Sequence, residues 1–340
     1  MFRNKVALIV GAGASHELGF PLGSELKTRL QSVLNIKFRY GLEQHSGDFQ
    51  IVEALRQLVR QNNSSDINPY LGAGRAIHDA MPTTGSIDSF LQTHSKDDKI
   101  VLMGKFGIAR VILAAEQKSL LHPKDGFQDF DLGPTEKSWY SEFFKLLAGE
   151  VQDPTKIFNN LDVICFNYDR SLEQYLIQAL MKRFLIGRQR AEEIMGSFRI
   201  HHPYGVVGRL PWQDSHVGIP YGGNDHYSDL LTAVKELRTF SEGVEDGHVA
   251  EIRKILAEAE TILIVGFGFL SINMELLNVG GPLREKQVYA TAFDIDEREI
   301  PVLRGKLAGP LRTRVELCKC YPGCTSAALF QICRMSFSDL

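Results

Sequence analysis

The sequence lacks long apolar runs and any strong excess of one charge. No stretch approaches the roughly 18 consecutive apolar residues of a membrane-spanning helix, so we expect no membrane span. The first apolar run, Val6–Val10, is too short for the core of a secretory signal, which favours a cytoplasmic protein. Lysine and arginine total 38 against 41 aspartate and glutamate, a net charge of −3, so a nucleic-acid partner is not indicated.

Cysteine is also scarce, with five residues in 340, and the odd number argues against the disulfide framework of a small secreted fold. Four of the five are Cys318, Cys320, Cys324 and Cys333. Their spacing could bind zinc, but zinc sites usually combine two separate Cys-x₂₋₄-Cys halves, so reduced, partly buried thiols are the preferred interpretation. We therefore expect no metal.

What the chain does contain is a large apolar content, 44% of its residues, enough for one large domain or two modest ones. Val6–Val10 is typical of a buried strand, Gly11 and Gly13 follow at once, and a helix is predicted to open near Pro21. A strand, a glycine turn and a helix place backbone N–H groups against a phosphate. The dinucleotide fingerprint requires a third glycine where the chain has His16, so a tight turn without a ligand is the alternative.

A long segment, about residues 36–158, is predicted to be mainly helical. Apolar residues recur at helical spacing over residues 48–60, 100–120 and 139–147, and Ser86 is placed to cap another helix. Since the next strand comes only at residues 161–166, these helices are expected to form an insertion in a parallel sheet.

Polar residues follow that strand. Asn167 and Asp169 come directly after it, and ligands of open α/β sheets bind at the carboxyl ends of strands. Asp169 could instead cap the next helix, whereas Asn167 precedes the cap position. A short extended run over residues 198–201 then leads to His201 and His202, and a histidine is suited to general base catalysis near neutral pH.

The C-terminal part repeats the opening pattern. A helix over residues 251–260 and the strand Thr261–Val265 precede a second glycine turn with Gly266 and Gly268, and Asn273 would face the same crevice. A strand over residues 287–293 ends at Asp294, which is placed to bind an adenosine hydroxyl. Residues 312–317 are predicted to form a last edge strand.

Four pieces of the chain, taken in order, resemble the sirtuin fold, and more closely its bacterial SIR2-like branch. Residues 11–15, with Ala12 and Ser15 beside the glycines, resemble the first nucleotide loop, and residues 166–169 resemble the Gln-Asn-x-Asp element. Residues 202–205 resemble the catalytic His-Gly element, and residues 266–268 with Asn273 resemble the loop that binds phosphate and ribose. Residues 86–91 also resemble an element of that branch.

The resemblance implies an α/β, Rossmann-like, doubly wound parallel sheet of the sirtuin type. Residues 1–340 would form a single SIR2-like domain in which the insertion is a smaller helical subdomain. The two Cys-x-x-Cys pairs of the sirtuin zinc ribbon are absent, and the histidine precedes Pro-Tyr-Gly instead of adjoining the glycine. These departures favour the branch that hydrolyses NAD⁺ to nicotinamide and ADP-ribose, which includes antiphage effectors that deplete NAD⁺.

The resemblance also implies roles for individual residues. Asn167 would orient water or ribose hydroxyls, and His202 or His201 would accept a proton. The set expected to bind NAD⁺ consists of Gly11, Ala12, Gly13, Ser15, Asp169, Gly266, Gly268, Asn273 and Asp294. A protein deacylase or ADP-ribosyltransferase, and a non-catalytic NAD⁺ or ADP-ribose-binding module, are the alternatives. A homo-oligomer is expected, and a HerA-type ATPase is a partner suggested by the family alone.

Overall fold

The fold was obtained as a computed structural model, which describes residues 2–40, 43–123, 131–240, 242, 247–338 and 340. Its centre is a six-stranded sheet in which every neighbouring pair is parallel. The strands are β1 Val6–Val10, β4 Leu161–Cys165, β5 Arg199–His201, β6 Thr261–Val265, β7 Gln287–Ala292 and β8 Cys318–Pro322.

The strands lie in the order β5-β4-β1-β6-β7-β8. Counted along the chain, this is the third, second, first, fourth, fifth and sixth strand of the sheet, the order of Rossmann-like folds. Strands β4 and β5 are added on one side of β1, and β6, β7 and β8 on the other, so the strand order reverses between β1 and β6. Ligands of such sheets bind outside the carboxyl ends of the strands at this switch point. The expected α/β parallel sheet is therefore confirmed in its Rossmann-like order.

The register of the central strands brings their carboxyl ends level. Val10 at the end of β1 lies opposite Cys165 of β4 and Val265 of β6. All five residues of β1 are buried, as expected for a strand covered on both faces. The segments that follow the three strands therefore begin side by side.

Helices account for most of the remaining elements. They are α1 Ala12–His16, α2 Gly23–Leu34, α3 Phe49–Gln61, α4 Asn68–Ala80, α5 Ile87–Thr93, α6 Asp98–Lys118, α7 Trp139–Ala148, α8 Ser171–Phe184, α9 Arg188–Met195, α10 Tyr227–Glu236, α11 His248–Glu258, α12 Ser271–Leu276, α13 Ile300–Leu311, α14 Ser326–Ile332 and α15 Arg334–Ser338.

The segment between β1 and β4 is largely helical, as predicted, and its caps follow the sequence. The side chain of Asp48 accepts the N–H of Ile51 at the start of α3, and that of Ser86 accepts the N–H of Ser89 at the start of α5. Two short strands were missed: β2 Lys37–Arg39 and β3 Glu43–Ser46 form a small antiparallel pair. These strands are short and polar, so apolar periodicity did not indicate them.

The last strand lies elsewhere than predicted. Residues 312–317 were expected to form the edge, but β8 begins at Cys318 and pairs with β7 from Val288 onwards. Buried Cys318 and Cys320 alternate with exposed Lys319, so the cysteines supply the buried face of this strand. All five cysteines are free and buried, and burial raises the pKa of the Cys318 thiol to about 11.

Two absences hold for the described ranges of the chain. None of the helices there is both long and apolar enough to cross a bilayer. The same ranges contain no group of three or more histidine, cysteine, aspartate or glutamate side chains arranged to hold a metal ion.

Candidate functional site

The glycine turns after β1 and β6 meet at the switch point of the sheet and pack directly on each other. The N–H of Gly13 donates to the carbonyl oxygen of Gly266 at 2.8 Å, and the N–H of Gly11 donates to that of Val265 at 2.9 Å. A Cβ atom on Gly11 would lie 2.6 Å from the oxygen of Gly266. These glycines therefore allow two loops to touch, whereas the sequence suggested that they allow a cofactor to approach.

The outer parts of both turns are open. Ala12 begins the short helix α1 and is exposed. Gly268 is also exposed, and a Cβ atom there would meet no heavy atom within 4 Å. Of the residues predicted to cradle a pyrophosphate, Ala12 and Gly268 are thus the ones that leave room for it.

Asn167 follows β4 and is held against the first glycine turn. Its Nδ2 donates to the carbonyl oxygen of Gly11 at 3.1 Å and to Ser15 Oγ at 2.9 Å. Ser15 Oγ in turn donates to Asp169 Oδ2 at 2.9 Å and lies 3.2 Å from the hydroxyl oxygen of Tyr140. Because both partners of Nδ2 are acceptors, the network fixes which end of the amide faces them.

The other end of this amide has no partner. Asn167 is 6% exposed, and within the described residues its buried Oδ1 accepts no hydrogen bond. A buried acceptor left in this way costs about 1–3 kcal/mol, so such groups call for a physical explanation. Since Nδ2 is anchored, Oδ1 points away from Gly11 and Ser15 and is free to accept a hydroxyl or a water.

Asp169 connects the start of α8 to the first glycine turn, while Arg170 occupies the N-cap position. Its Oδ1 accepts the N–H of Ser171 at the start of α8, while its Oδ2 accepts the hydroxyl of Ser15. Burial raises the pKa of this carboxyl, and the hydrogen bonds from Ser171 and Ser15 partly oppose the shift. Asp169 is therefore a buried residue that orients Ser15, which in turn orients Asn167.

Both ring nitrogens of His202 lie within hydrogen-bond distance of an oxygen atom. Its Nε2 is 3.0 Å from Glu173 Oε1, and its Nδ1 is 3.3 Å from the main-chain oxygen of Asn167. Burial alone would lower the pKa of His202, but neighbouring Cys165 and the Glu173 carboxylate raise it well above its ordinary value. A ring that faces two acceptors carries a proton on both nitrogens.

His201 lies apart from this cluster. It pairs with Ile164 in the sheet, and its Nδ1 is 3.8 Å from Glu251 Oε2 on α11. Burial lowers the pKa of His201, more than Glu251 raises it. Of the two adjacent histidines, the structure brings only His202 to Asn167.

Tyr204 and Asn273 connect the segment after β5 to the segment after β6. The Tyr204 hydroxyl donates to Asn273 Oδ1 on α12 at 2.7 Å. The ring of Phe166 lies 6.0 Å from that of Tyr204 and 5.0 Å from that of Phe267 in the second glycine turn. Asn273 is thus held by the Pro-Tyr-Gly turn. Asp294 lies farther out, exposed in the turn after β7, the strand next to β6.

Several residues around the site carried no usable signal in the sequence. Glu173 and Tyr140 lie on helices whose patterns predict core or surface, not contact with a strand end. The carboxylate of Asp88, on α5, accepts the hydroxyl of Tyr168, the residue after Asn167. Tyr204 and Asp88 could have been identified, because Tyr204 adjoins Gly205 and Asp88 lies within residues 86–91, both in motifs that the sequence had already indicated.

In comparisons with known proteins, no family model and no curated protein matches the chain.

Proposed function

We propose that the chain is an NAD⁺ glycohydrolase that releases nicotinamide and ADP-ribose, on a fold of the sirtuin type without a zinc ribbon. The observation that supports this most directly is the unpaired Oδ1 of Asn167, buried beside the switch point of a Rossmann-like sheet. An acceptor held there suits a ribose hydroxyl or a water. Its position sets it apart, since the side-chain oxygens of Gln44, Gln92 and Gln287 are also buried without a partner but do not follow a central strand at the switch point.

Cleavage of this bond does not require a strong general acid. The bond between the nicotinamide nitrogen and the ribose carbon breaks with its electron pair going to nicotinamide, which leaves as a neutral molecule. The ribose passes through an oxocarbenium-like state, as in other glycoside cleavages. Water supplies the oxygen that joins the ribose carbon, and its proton leaves to solvent. The protein must therefore chiefly hold the ribose and place the water.

The remaining residues have matching roles in this proposal. Ser15 and Asp169 fix the Asn167 amide, and the open turn at Ala12 and Gly268 receives the pyrophosphate. Asn273 binds a ribose hydroxyl from the opposite side, and Asp294 is the outer candidate for the adenosine ribose. Gly11, Gly13 and Gly266 contribute by holding the two turns together.

The biological setting is proposed from the family resemblance. SIR2-like effectors that deplete NAD⁺ in antiphage defence suggest a cytoplasmic homo-oligomer that stays latent until it is activated. A HerA-type ATPase is the partner suggested on the same ground.

A binding module without catalysis is the second candidate, and the geometry of His202 favours it. Its two ring nitrogens already face Asn167 and Glu173, so no imidazole nitrogen is free to accept a proton. A protein of this kind would bind NAD⁺ or ADP-ribose tightly and release no nicotinamide.

The test is an assay of nicotinamide and ADP-ribose release from NAD⁺, together with calorimetric binding of ADP-ribose. We expect Asn167→Ala to lower kcat by about 100-fold or more, since a lost positioning group costs that much. Asn159→Ala, an exposed asparagine at the opposite end of β4, is the matched control and should behave as wild type. Thermal melting of each variant separates loss of function from loss of fold.

The results of these assays distinguish the glycohydrolase from the binding module. Full turnover in folded Asn167→Ala would overturn the assignment of the site. Tight ADP-ribose binding by the wild type without nicotinamide release would favour the binding module. A wild-type protein that neither binds ADP-ribose nor cleaves NAD⁺ would refute both functions.

A further inference from the structure

We propose that His202, paired with Glu173, is a positioning residue that holds the peptide carrying Asn167, and that it does not act as a proton acceptor. The inference rests on the proposed function and deepens it. It starts from two contacts, the 3.0 Å separation of His202 Nε2 from Glu173 Oε1 and the 3.3 Å separation of His202 Nδ1 from the Asn167 oxygen.

The acceptors in these two contacts fix the direction of the hydrogen bonds. A carboxylate and a peptide carbonyl can only accept, so both ring nitrogens of His202 must donate. An imidazole that donates at both nitrogens is an imidazolium and has no lone pair left for a proton from water or ribose. A general base needs such a lone pair.

The ring of His202 and its carboxylate partner lie away from solvent. The side chain of His202 is 11% exposed and that of Glu173 is 3% exposed, so the pair is shielded from solvent. The other ionisable groups that act on the ring are Cys165 at the end of β4 and His201 on β5. Removal of one member of a buried pair leaves the other charge uncompensated, so the pair is costly to break.

The pair contacts the candidate site through the main chain of Asn167. The carbonyl that His202 holds belongs to Asn167 itself, and the side chain of Asn167 is held at its Nδ2 by Gly11 and Ser15. Main chain and side chain of Asn167 are thus anchored separately. Oδ1 remains as the acceptor of a residue that is otherwise fixed. A displacement of about 1 Å at such a group can cost 100-fold in rate.

Two amide replacements of His202 divide its contacts. Asparagine can place its amide nitrogen near the position of Nδ1 and keep the bond to Asn167, whereas glutamine can place its amide nitrogen near Nε2 and keep the bond to Glu173. Neither can accept a proton as a base. We expect His202→Asn to keep kcat within about tenfold of wild type, the size of one lost hydrogen bond. We expect His202→Gln to lose about 100-fold in kcat with little change in KM.

A base would give a different result. If the imidazole takes a proton from water or ribose, both variants lose kcat equally, by about 100-fold or more. Equal losses in folded His202→Asn and His202→Gln, with Asn167→Ala inactive, would overturn this inference and leave the proposed function standing. Activity retained in Asn167→Ala would instead refute the proposed function. His216→Asn, at an exposed histidine, is the control for the substitution itself.

A second readout needs no turnover. Nitrogen-15 NMR of histidine-labelled protein should show both nitrogens of His202 protonated at pH 7.5, in a signal that His202→Asn removes. A neutral ring at this pH would contradict the proposal. The pH profile gives a third readout, because a positioning imidazolium loses activity as pH rises through its pKa, whereas a base gains it. If the wild type only binds ADP-ribose, the same variants are ranked by affinity, and equal affinities would count against the proposal.

Discussion

Gly266 shows what a single missing side chain does in this fold. Its φ is +57°, a left-handed conformation that glycine adopts without strain, and a Cβ atom there would lie 1.9 Å from the main-chain nitrogen of Ala14. Both facts come from the contact between the two glycine turns. The sequence identifies the glycine but does not say which atom approaches it. This is why a turn-to-turn contact was interpreted as a phosphate cradle.

Gly266→Ala should therefore destabilise the protein strongly. The left-handed conformation costs about 1–2 kcal/mol for alanine, and the clash with Ala14 adds about 1–3 kcal/mol of overpacking. The measurement is the free energy of unfolding from urea denaturation, and we expect a loss of about 2–5 kcal/mol.

Gly268→Ala is the matched control, two residues along the same turn. It has open space within 4 Å, so its unfolding free energy should stay within about 1 kcal/mol of wild type. Equal stability of the two variants would mean that the turns do not pack as described.

At the scale of elements, the helical segment is joined to the sheet by one buried ion pair. Arg170, just before α8, donates through Nε to Glu116 Oε1 of α6 at 3.1 Å. Its guanidinium also donates to the carbonyl oxygens of Ile219 at 2.6 Å and Pro220 at 3.0 Å. Both charged side chains are 0% exposed. The pair thus links α6, α8 and the segment after the Pro-Tyr-Gly turn.

Glu116→Gln should cost about 3–5 kcal/mol of unfolding free energy, because it leaves the Arg170 charge buried without a counter-charge. The double variant Glu116→Met with Arg170→Met should recover much of this loss, since two apolar side chains remove both charges together. Urea denaturation of the two variants makes the comparison. A double variant less stable than Glu116→Gln would show that the hydrogen bonds to Ile219 and Pro220 matter more than the charge.

An exposed ion pair provides the reference for this experiment. Arg298 Nε and Asp296 Oδ1 are 2.8 Å apart, with side chains 89% and 53% exposed. Asp296→Asn should leave the unfolding free energy close to that of wild type, because water screens an exposed pair. A similar cost at both sites would remove burial as the explanation.

Elements were predictable where they depend on local pattern. The bounds of β1 and β6, the helices of the segment between β1 and β4, and the cap at Ser86 follow from periodicity and side-chain chemistry over a few residues. The edge strand β8 was misplaced because a parallel edge is chosen by pairing with β7, and buried cysteines carry no apolar pattern of their own.

At the scale of the whole molecule, the site depends on contacts that no local window contains. Ser15 and Asp169 are 154 positions apart, and Ser15 and Tyr140 are 125 apart. The sequence could predict that Asn167 and Asp169 follow a strand, because strand ends are local. It could not predict that Ser15 joins them, that Glu173 engages His202, or that His201 turns to α11. Those facts follow from strand order and helix packing.

The buried ionisable groups also set how the whole fold responds to pH. Burial raises the pKa of Glu17, Asp88 and Asp169, and the pKa of His202 is raised by its neighbours despite burial. A group whose pKa is higher in the folded state stabilises the fold below its unfolded pKa and loses that contribution as pH rises through the folded value. For the carboxyls the loss begins above their model values of 4.5 for glutamate and 3.8 for aspartate. For His202 it begins above 6.5.

The free energy of unfolding should therefore fall as pH rises from 5 to 8.5. Exposed carboxyls with lowered pKa, such as those of Asp153 and Asp214, titrate below this range and do not change the sign. Among the described residues, His201 and Lys286 have lowered pKa values and act in the opposite direction. His201 weakens the fold as pH falls through 6.5, and Lys286, whose pKa burial lowers to about 8, acts at the upper end of the range. Urea denaturation at constant ionic strength measures the slope, and Asp88→Asn should flatten its acidic part while His202→Asn flattens the part above pH 6.5. A stability that rises steadily over this range would show that folding does not raise the pKa values of these groups.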